Sequence, residues 1–177
     1  MSLFARLAGG VLASAALFAV ASCGVSAEPD EAPQSAAPSE NALSALDPCS
    51  VVPPEKLESL GYSSSGRPVN QLESEPGCRY RGEDASLRVY RNAEETVDSY
   101  SQSRSWEEYA PVNVGSREAR RALTGEDKSV GGVCSLVISS GGGIIRLDGT
   151  RNDPTENFDA CGELERVAQA IESDLPK

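Results

Sequence analysis

Residues 78–90 read CRYRGEDASLRVY, and this stretch decides the class of fold. In 78–81 and again in 87–90, apolar side chains alternate with charged ones, which is the period of a β-strand with one buried face. Gly82 to Ala85 separate the two segments with turn-forming residues. The stretch therefore predicts an antiparallel hairpin.

Four more segments downstream have the composition of strands. The predicted strands cover residues 111–114, 118–123, 133–139 and 144–148. Gly141-Gly142-Gly143 lies between the last two and is typical of a tight turn. These short strands with short connections predict one antiparallel sheet.

Three helices are predicted around this sheet. Pro53, Pro54 and Glu55 begin a short helix that Gly61 ends. A second helix is predicted over about 93–104. The third has the strongest pattern, with Asp153-Pro154-Thr155-Glu156 as its start. Its apolar stripe recurs every three or four residues and comprises Phe158, Cys161, Leu164, Ala168, Ile171 and Leu175. The predicted class is α+β, a single domain over 47–177 with three helices packed on an antiparallel sheet.

The predicted domain contains an even number of cysteines, namely Cys49, Cys78, Cys134 and Cys161. No two of them are closer than 161 − 134 = 27 residues and the chain has no histidine, so neither a metal site nor a cofactor is expected. Two disulfides are the natural interpretation for an exported chain. Because Cys78 and Cys134 both lie at predicted strand starts, we expect them to face each other, which leaves Cys49 to pair with Cys161.

The amino terminus has the features of an export signal. Arg6 precedes an apolar run over 7–20, which is shorter than the roughly 20 residues that a membrane-spanning helix needs. The run ends in Val20-Ala21-Ser22-Cys23, and this pattern resembles the lipobox of bacterial lipoproteins. The resemblance implies cleavage after residue 22 and a diacylglycerol on Cys23. A plain secreted protein with a chance cysteine is the alternative.

The composition after Cys23 indicates a tether and excludes some partners. Residues 23–46 are rich in Pro, Ala and Ser and carry acidic but no basic side chains, which predicts a disordered linker. Without Arg6, 15 basic and 27 acidic side chains remain, so the mature charge is 15 − 27 = −12. This charge opposes binding to nucleic acid or to an anionic membrane surface. We therefore expect attachment to the outer side of the cell membrane through lipid alone.

The residues do not indicate an enzyme. Without histidine there is no Ser-His or Cys-His nucleophile pair, and no lysine stands in a Ser-x-x-Lys arrangement. Adjacent acidic residues point apart on a strand and do not share a helix face, so they are not by themselves the convergent carboxylates of glycoside hydrolysis, and solvated turns are the first expectation for them. No catalytic residue is therefore assigned.

Two features remain as candidate binding sites. Arg79, Arg81 and Arg88 lie on successive predicted strands and form a basic patch if they share a face. Charge runs usually mark a solvated face, so arginines paired with local acids are the first expectation and a recognition patch the second. Trp106 is the other candidate, although a lone tryptophan is more often part of a core than a ligand platform.

The order of the motifs resembles a known family. Asp47-Pro48-Cys49-Ser50 is followed by Pro76-Gly77-Cys78-Arg79-Tyr80, a Val114-Gly115 step, Cys134 on a strand and Cys161 on a closing helix. With the lipobox, this order is similar to the actinobacterial lipoproteins of domain of unknown function 3558. The resemblance implies an exported, lipid-anchored domain for which no catalytic residues are established.

The function that we expect is a non-enzymatic module of the cell envelope. It binds either a protein partner or an anionic or amphiphilic small molecule. The alternatives are a structural accessory of a secretion or cell-wall assembly complex and a histidine-free hydrolase. A deep apolar pocket favours the ligand binder, a flat apolar patch the accessory, and convergent carboxylates about 5 to 10 Å apart the hydrolase.

Overall fold

In the computed structural model of this protein, residues 42–124, 133–152 and 159–177 are described. They form a seven-stranded sheet in which every neighbouring pair is antiparallel. The strands are β1 Arg67–Leu72, β2 Glu75–Arg81, β3 Ala85–Asn92, β4 Glu108–Val114, β5 Arg117–Thr124, β6 Val133–Ser140 and β7 Gly143–Arg151. Their order across the sheet is β1-β2-β3-β7-β6-β5-β4, so β7 inserts between β3 and β6.

The predicted hairpins are confirmed, and their turns have a local cause. Gly141 and Gly142 join β6 to β7 with φ angles of 56° and 84°, the left-handed conformation that a two-residue hairpin turn needs and glycine adopts without a steric cost. The 78–90 hairpin pairs Cys78 with Val89. The first strand, β1, was not predicted, because its six residues include one proline and three polar side chains and are almost wholly exposed.

Three helices were predicted and three are present in the described residues: α1 Pro54–Ser59, α2 Val97–Ser103 and α3 Ala160–Ile171. Gly61 follows α1 with a φ of 86°, as expected. Helix α2 begins later than predicted because Thr96 and Ser99 form a capping box. The predicted start of α3 at 153–156, with Phe158, lies outside the described residues. Asp159 caps α3 by accepting a hydrogen bond from the Gly162 amide.

The main core lies on one face of the sheet, beneath α1 and α3. Helix α3 packs across β6 and β7 with its stripe of Leu164, Val167, Ala168 and Ile171. Opposite them lie the inward residues of the central strands, including Leu87, Val89, Leu136 and Leu147. Leu43 is also buried in this core. The sequence predicted a disordered tether over 23–46, but residue 43 is part of the packed domain. The tether therefore ends earlier than predicted.

Two disulfides are present as predicted, but the predicted pairing is wrong. The bonds join Cys49 to Cys78 and Cys134 to Cys161, with Cα–Cα distances of 5.0 and 5.4 Å. Cys78 on β2 and Cys134 on β6 are three strand spacings apart, roughly 14 Å, whereas a disulfide needs Cα atoms within about 7 Å. The insertion of β3 and β7 between these strands is the cause.

Candidate functional site

The second face of the sheet differs from the core face because α2 covers only part of it. Val97 and Tyr100 of α2 pack on Ala122, Val137 and Ile144 in a small second apolar cluster. Beyond this cluster, strands β2, β3 and β7 carry polar and charged side chains. We call this uncovered region the arginine face; it is defined by Arg67, Arg79, Arg81, Arg88, Arg104 and Arg146.

The three predicted arginines lie on this face. Arg79 is the cross-strand partner of Arg88, and Arg81 is that of Ser86. Because residues two apart on a strand share a face, all three point to the same side of the sheet. None of the ion pairs in the described part of the chain includes them. Arg88 nevertheless lies beside Asp148 on β7, and its positive charge acts to lower the pKa of that carboxyl.

A pocket of about 460 Å³ opens on the arginine face. Its wall includes both candidates from the sequence, Arg88 and Trp106, together with Arg104, Arg146 and Asp148. Strands β3 and β7 supply Arg88, Arg146 and Asp148, and the segment after α2 supplies Arg104 and Trp106. The fold thus brings three guanidinium groups and an indole to one cavity.

Two of these arginines, Arg104 and Arg146, form ion pairs with the buried side chain of Glu75. Its side chain is buried, and its Oε2 accepts a hydrogen bond from Arg104 at 2.6 Å and lies 3.3 Å from Nη1 of Arg146. Its Oε1 accepts a hydrogen bond from Asn92 at 3.4 Å. A buried carboxylate is tolerated only when it is paired and hydrogen-bonded. Both arginines must therefore stay in contact with Glu75, and this fixes the positions of their guanidinium groups.

Arg146 lies at the centre of the network. Its guanidinium stacks on the Tyr90 ring at 4.2 Å and donates to the Tyr100 hydroxyl at 2.6 Å. Its Nε lies 3.2 Å from Oδ1 of Asp148. Burial alone would lower the pKa of Arg146, but Asp148, Tyr100 and Glu75 outweigh burial and raise it, so Arg146 stays charged.

Asp148 is the only acidic side chain in the pocket wall among the residues that the structure describes. Burial raises its pKa, while Arg146 and a 2.7 Å hydrogen bond from the Ser135 hydroxyl act in the opposite direction. Both contacts use Oδ1. The carboxylate is therefore engaged by its neighbours.

Trp106 combines the two roles that the sequence left open. It packs against the second apolar cluster, 5.8 Å from the ring centroids of both Tyr100 and Tyr109, and its indole N–H donates to the Tyr100 carbonyl at 3.4 Å. It is nevertheless only half-buried and lines the pocket. The indole is thus fixed in position with part of its surface in the cavity.

The sequence reasoning missed Glu75, Arg104 and Arg146 as site residues. The sequence did contain a signal for Arg146. The predicted strand 144–148 reads IIRLD, so Arg146 and Asp148 are two residues apart and share one face of the strand. Two charged side chains on one face of an otherwise apolar strand indicate that they have polar contacts there. Glu75 and Arg104 lie 29 residues apart at the ends of unrelated elements. No local pattern places them together.

The predicted lipidation site is not tested by the structure. Cys23 lies outside the described residues. In the described ranges, no helix is long and apolar enough to span a bilayer, and no three metal-ligating side chains cluster.

Comparison with known proteins gives one match. No curated protein and no solved structure matches the chain. A family model does match, over residues 18–174, nearly the whole chain. The chain therefore belongs to the family described as Protein of unknown function (DUF3558).

Proposed function

We propose that this protein is a lipid-anchored, non-enzymatic binding module of the cell envelope, and that its pocket binds an anionic ligand with an apolar or aromatic part. One observation carries the proposal. Three arginines and the chain's single tryptophan line one cavity in a protein whose net charge is −11. Guanidinium groups bind carboxylate and phosphate oxygens, and an indole face accepts an apolar group.

The excess of positive charge in the pocket supports an anionic ligand. Glu75 neutralises one charge of the Arg104 and Arg146 pair, and Asp148 interacts with Arg146. Arg88 has no ion-pair partner among the described residues, and so one positive charge in the pocket is left over. A ligand carboxylate or phosphate would supply the missing partner.

Surface composition favours a small anion over an apolar partner surface. Leu72, 47% exposed, is the one large hydrophobic side chain that is exposed in the described ranges. A structural accessory that docks through a flat apolar patch would need several. The accessory role therefore remains the second candidate without an observation that favours it.

The pocket also offers little for hydrolysis. A pair of catalytic carboxylates must both face the substrate. Asp148 lines the pocket, but Glu75 does not and is held by two arginines. This arrangement supports a binding role.

Trp106 provides the test, because it is the only tryptophan and its fluorescence reports on the pocket alone. We expect phenyl phosphate to change the fluorescence of the full-length protein saturably. Arg88→Gln should weaken binding by about tenfold, the usual effect of losing a hydrogen bond to a charged group. The matched control is Arg166→Gln on α3, which removes an exposed arginine away from the pocket. An unchanged affinity in Arg88→Gln would refute the proposal.

The lipid anchor is supported by the sequence motif ending at Cys23 and by the family match, which begins at residue 18 and includes that motif. We expect the intact mass of the membrane-extracted protein to show cleavage before Cys23 and a diacylglycerol adduct. Cys23→Ala should remove the adduct and release the protein from the membrane fraction, since the net negative charge of the protein opposes binding to an anionic surface. A wild-type mass without lipid would contradict the anchor.

A further inference from the structure

A row of arginines runs from the pocket to the edge of the sheet. Arg88 on β3 pairs with Arg79 on β2, which pairs in turn with Arg67 on the edge strand β1. Neighbouring strands are about 4.8 Å apart, so the three side chains stand in a line across roughly 10 Å. Asp148 continues the same row on β7 as the cross-strand partner of Arg88.

The row is only partly neutralised among the described residues, because Asp148 beside Arg88 is its one acidic member. Like charges directly opposite each other destabilise a sheet, and acidic partners are the usual remedy. No ion pair of the described residues includes Arg67, Arg79 or Arg88. Arg79 donates to the Ser86 hydroxyl at 3.3 Å, and its Nε is buried without a hydrogen-bond partner in the described ranges.

A second cavity lies at the outer end of the row. This groove of about 350 Å³ is lined by Arg67, Arg79 and Arg81 together with Ser63 and Ser65. Arg79 in the groove and Arg88 in the pocket are direct cross-strand partners. The row therefore joins the two cavities into one continuous basic surface.

We infer that the ligand is a chain anion with at least two phosphate groups, one in the pocket and one in the groove. This inference rests on the proposed function of the pocket. Within the described ranges, the surface carries six arginines against Glu75 and Asp148, which leaves 6 − 2 = 4 positive charges. A phosphate monoester carries up to about two negative charges on three acceptor oxygens, so two such groups match the excess where single carboxylates would not. The alignment of Arg67, Arg79 and Arg88 requires the ligand to extend across the strands.

The test compares inorganic phosphate with tripolyphosphate, using Trp106 fluorescence of the full-length protein at constant ionic strength. Wild type should bind tripolyphosphate at least about tenfold more tightly than inorganic phosphate, because additional hydrogen bonds to charged groups form in the groove. The double variant Arg67→Gln with Arg81→Gln changes two exposed residues of the groove. It should lose about tenfold affinity for tripolyphosphate and keep its affinity for inorganic phosphate within about twofold.

The matched control is Arg166→Gln with Lys177→Gln, which removes two charges from exposed positions outside both cavities. An equal loss in both double variants would show general electrostatics and overturn the inference. Tripolyphosphate binding no tighter than phosphate, with Arg88→Gln still weakening both, would overturn the inference alone. No saturable response to either anion would overturn both the inference and the anionic pocket.

Discussion

At the scale of single residues, Glu75 determines whether the pocket keeps its shape. It is 3% exposed and its side chain contacts Arg104, Arg146 and Asn92. Removing one partner of a buried ion pair is costly because the remaining charge stays desolvated. The arrangement of the arginines is therefore coupled to the stability of the fold.

We expect Glu75→Gln to lower the free energy of unfolding by roughly 2 to 3 kcal/mol, since it leaves buried Arg146 with one carboxylate fewer. Urea denaturation measures the change. Glu73→Gln, at an exposed position in the neighbouring turn, is the control and should stay within about 0.5 kcal/mol of wild type. Equal stability of the two variants would mean that the Glu75 contacts do not stabilise the protein.

For the predicted arginine patch we expect the opposite effect on stability from that of Glu75→Gln. Arg79, Arg81 and Arg88 form no ion pair among the described residues, and Arg79 stands opposite Arg88. Replacing all three with Gln should leave stability within about 0.5 kcal/mol or raise it, because like-charge repulsion is relieved. The effect should shrink at high salt, where exposed charges are screened. Melting curves at low and high salt measure this, and a large loss of stability at low salt would contradict the unpaired arrangement.

At the scale of elements, the disulfides tie the elements outside the sheet to the core face. Cys49 lies in a short 3-10 turn, Pro48–Ser50, and is bonded to β2, while Cys161 in the first turn of α3 is bonded to β6. The bonds span 29 and 27 residues. Both are much shorter than the 161 − 49 = 112 residues of the predicted pairing, so each restricts the unfolded chain less.

Non-reducing peptide mapping should find the Cys49–Cys78 and Cys134–Cys161 links. Replacing either pair with alanine should cost about 3 to 4 kcal/mol in the chain-entropy description, with similar effects because the loops are similar in length. Denaturation of the two double variants measures this. A peptide that links Cys78 to Cys134 would contradict the strand order of the sheet, which separates β2 from β6.

At the scale of the whole molecule, the free energy of unfolding should fall at alkaline pH, because the fold shields all five tyrosines from solvent and so raises their pKa values. Burial is the largest cause of a raised pKa in each of Tyr62, Tyr80, Tyr90, Tyr100 and Tyr109. The pKa of Tyr80, and likewise that of Tyr109, is raised from 10.0 to about 12. Between these values the unfolded chain releases protons that the folded chain retains, so stability is intact below pH 10 and declines above it.

We expect the free energy of unfolding to fall by about 1.4 kcal/mol per pH unit for each such tyrosine as the pH rises above 10. Tyr80→Phe removes one of these groups and should make the decline shallower by about that amount. Urea denaturation at a series of alkaline pH values, with tyrosinate absorbance followed in parallel, measures both slopes. Identical slopes in wild type and Tyr80→Phe would show that Tyr80 titrates normally.

Local pattern by itself determined the class of this fold. The two-residue period of 78–81 and 87–90 placed Arg79, Arg81 and Arg88 on one face, because alternation along a strand leaves no other arrangement in a regular hairpin. The three- and four-residue period of Leu164, Ala168 and Ile171 identified the buried stripe of α3. These features depend only on the geometry of a single element.

Only the tertiary structure decided which elements are neighbours. The period of a strand says which side chains share a face but not which strand lies next to it, since that choice depends on long-range packing. The insertion of β7 between β3 and β6 separated Cys78 from Cys134 and placed Arg146 and Asp148 beside Arg88. The pocket consequently combines β1, β3, β5, β6, β7 and the segment after α2, and Glu75 on β2 holds two of its three arginines.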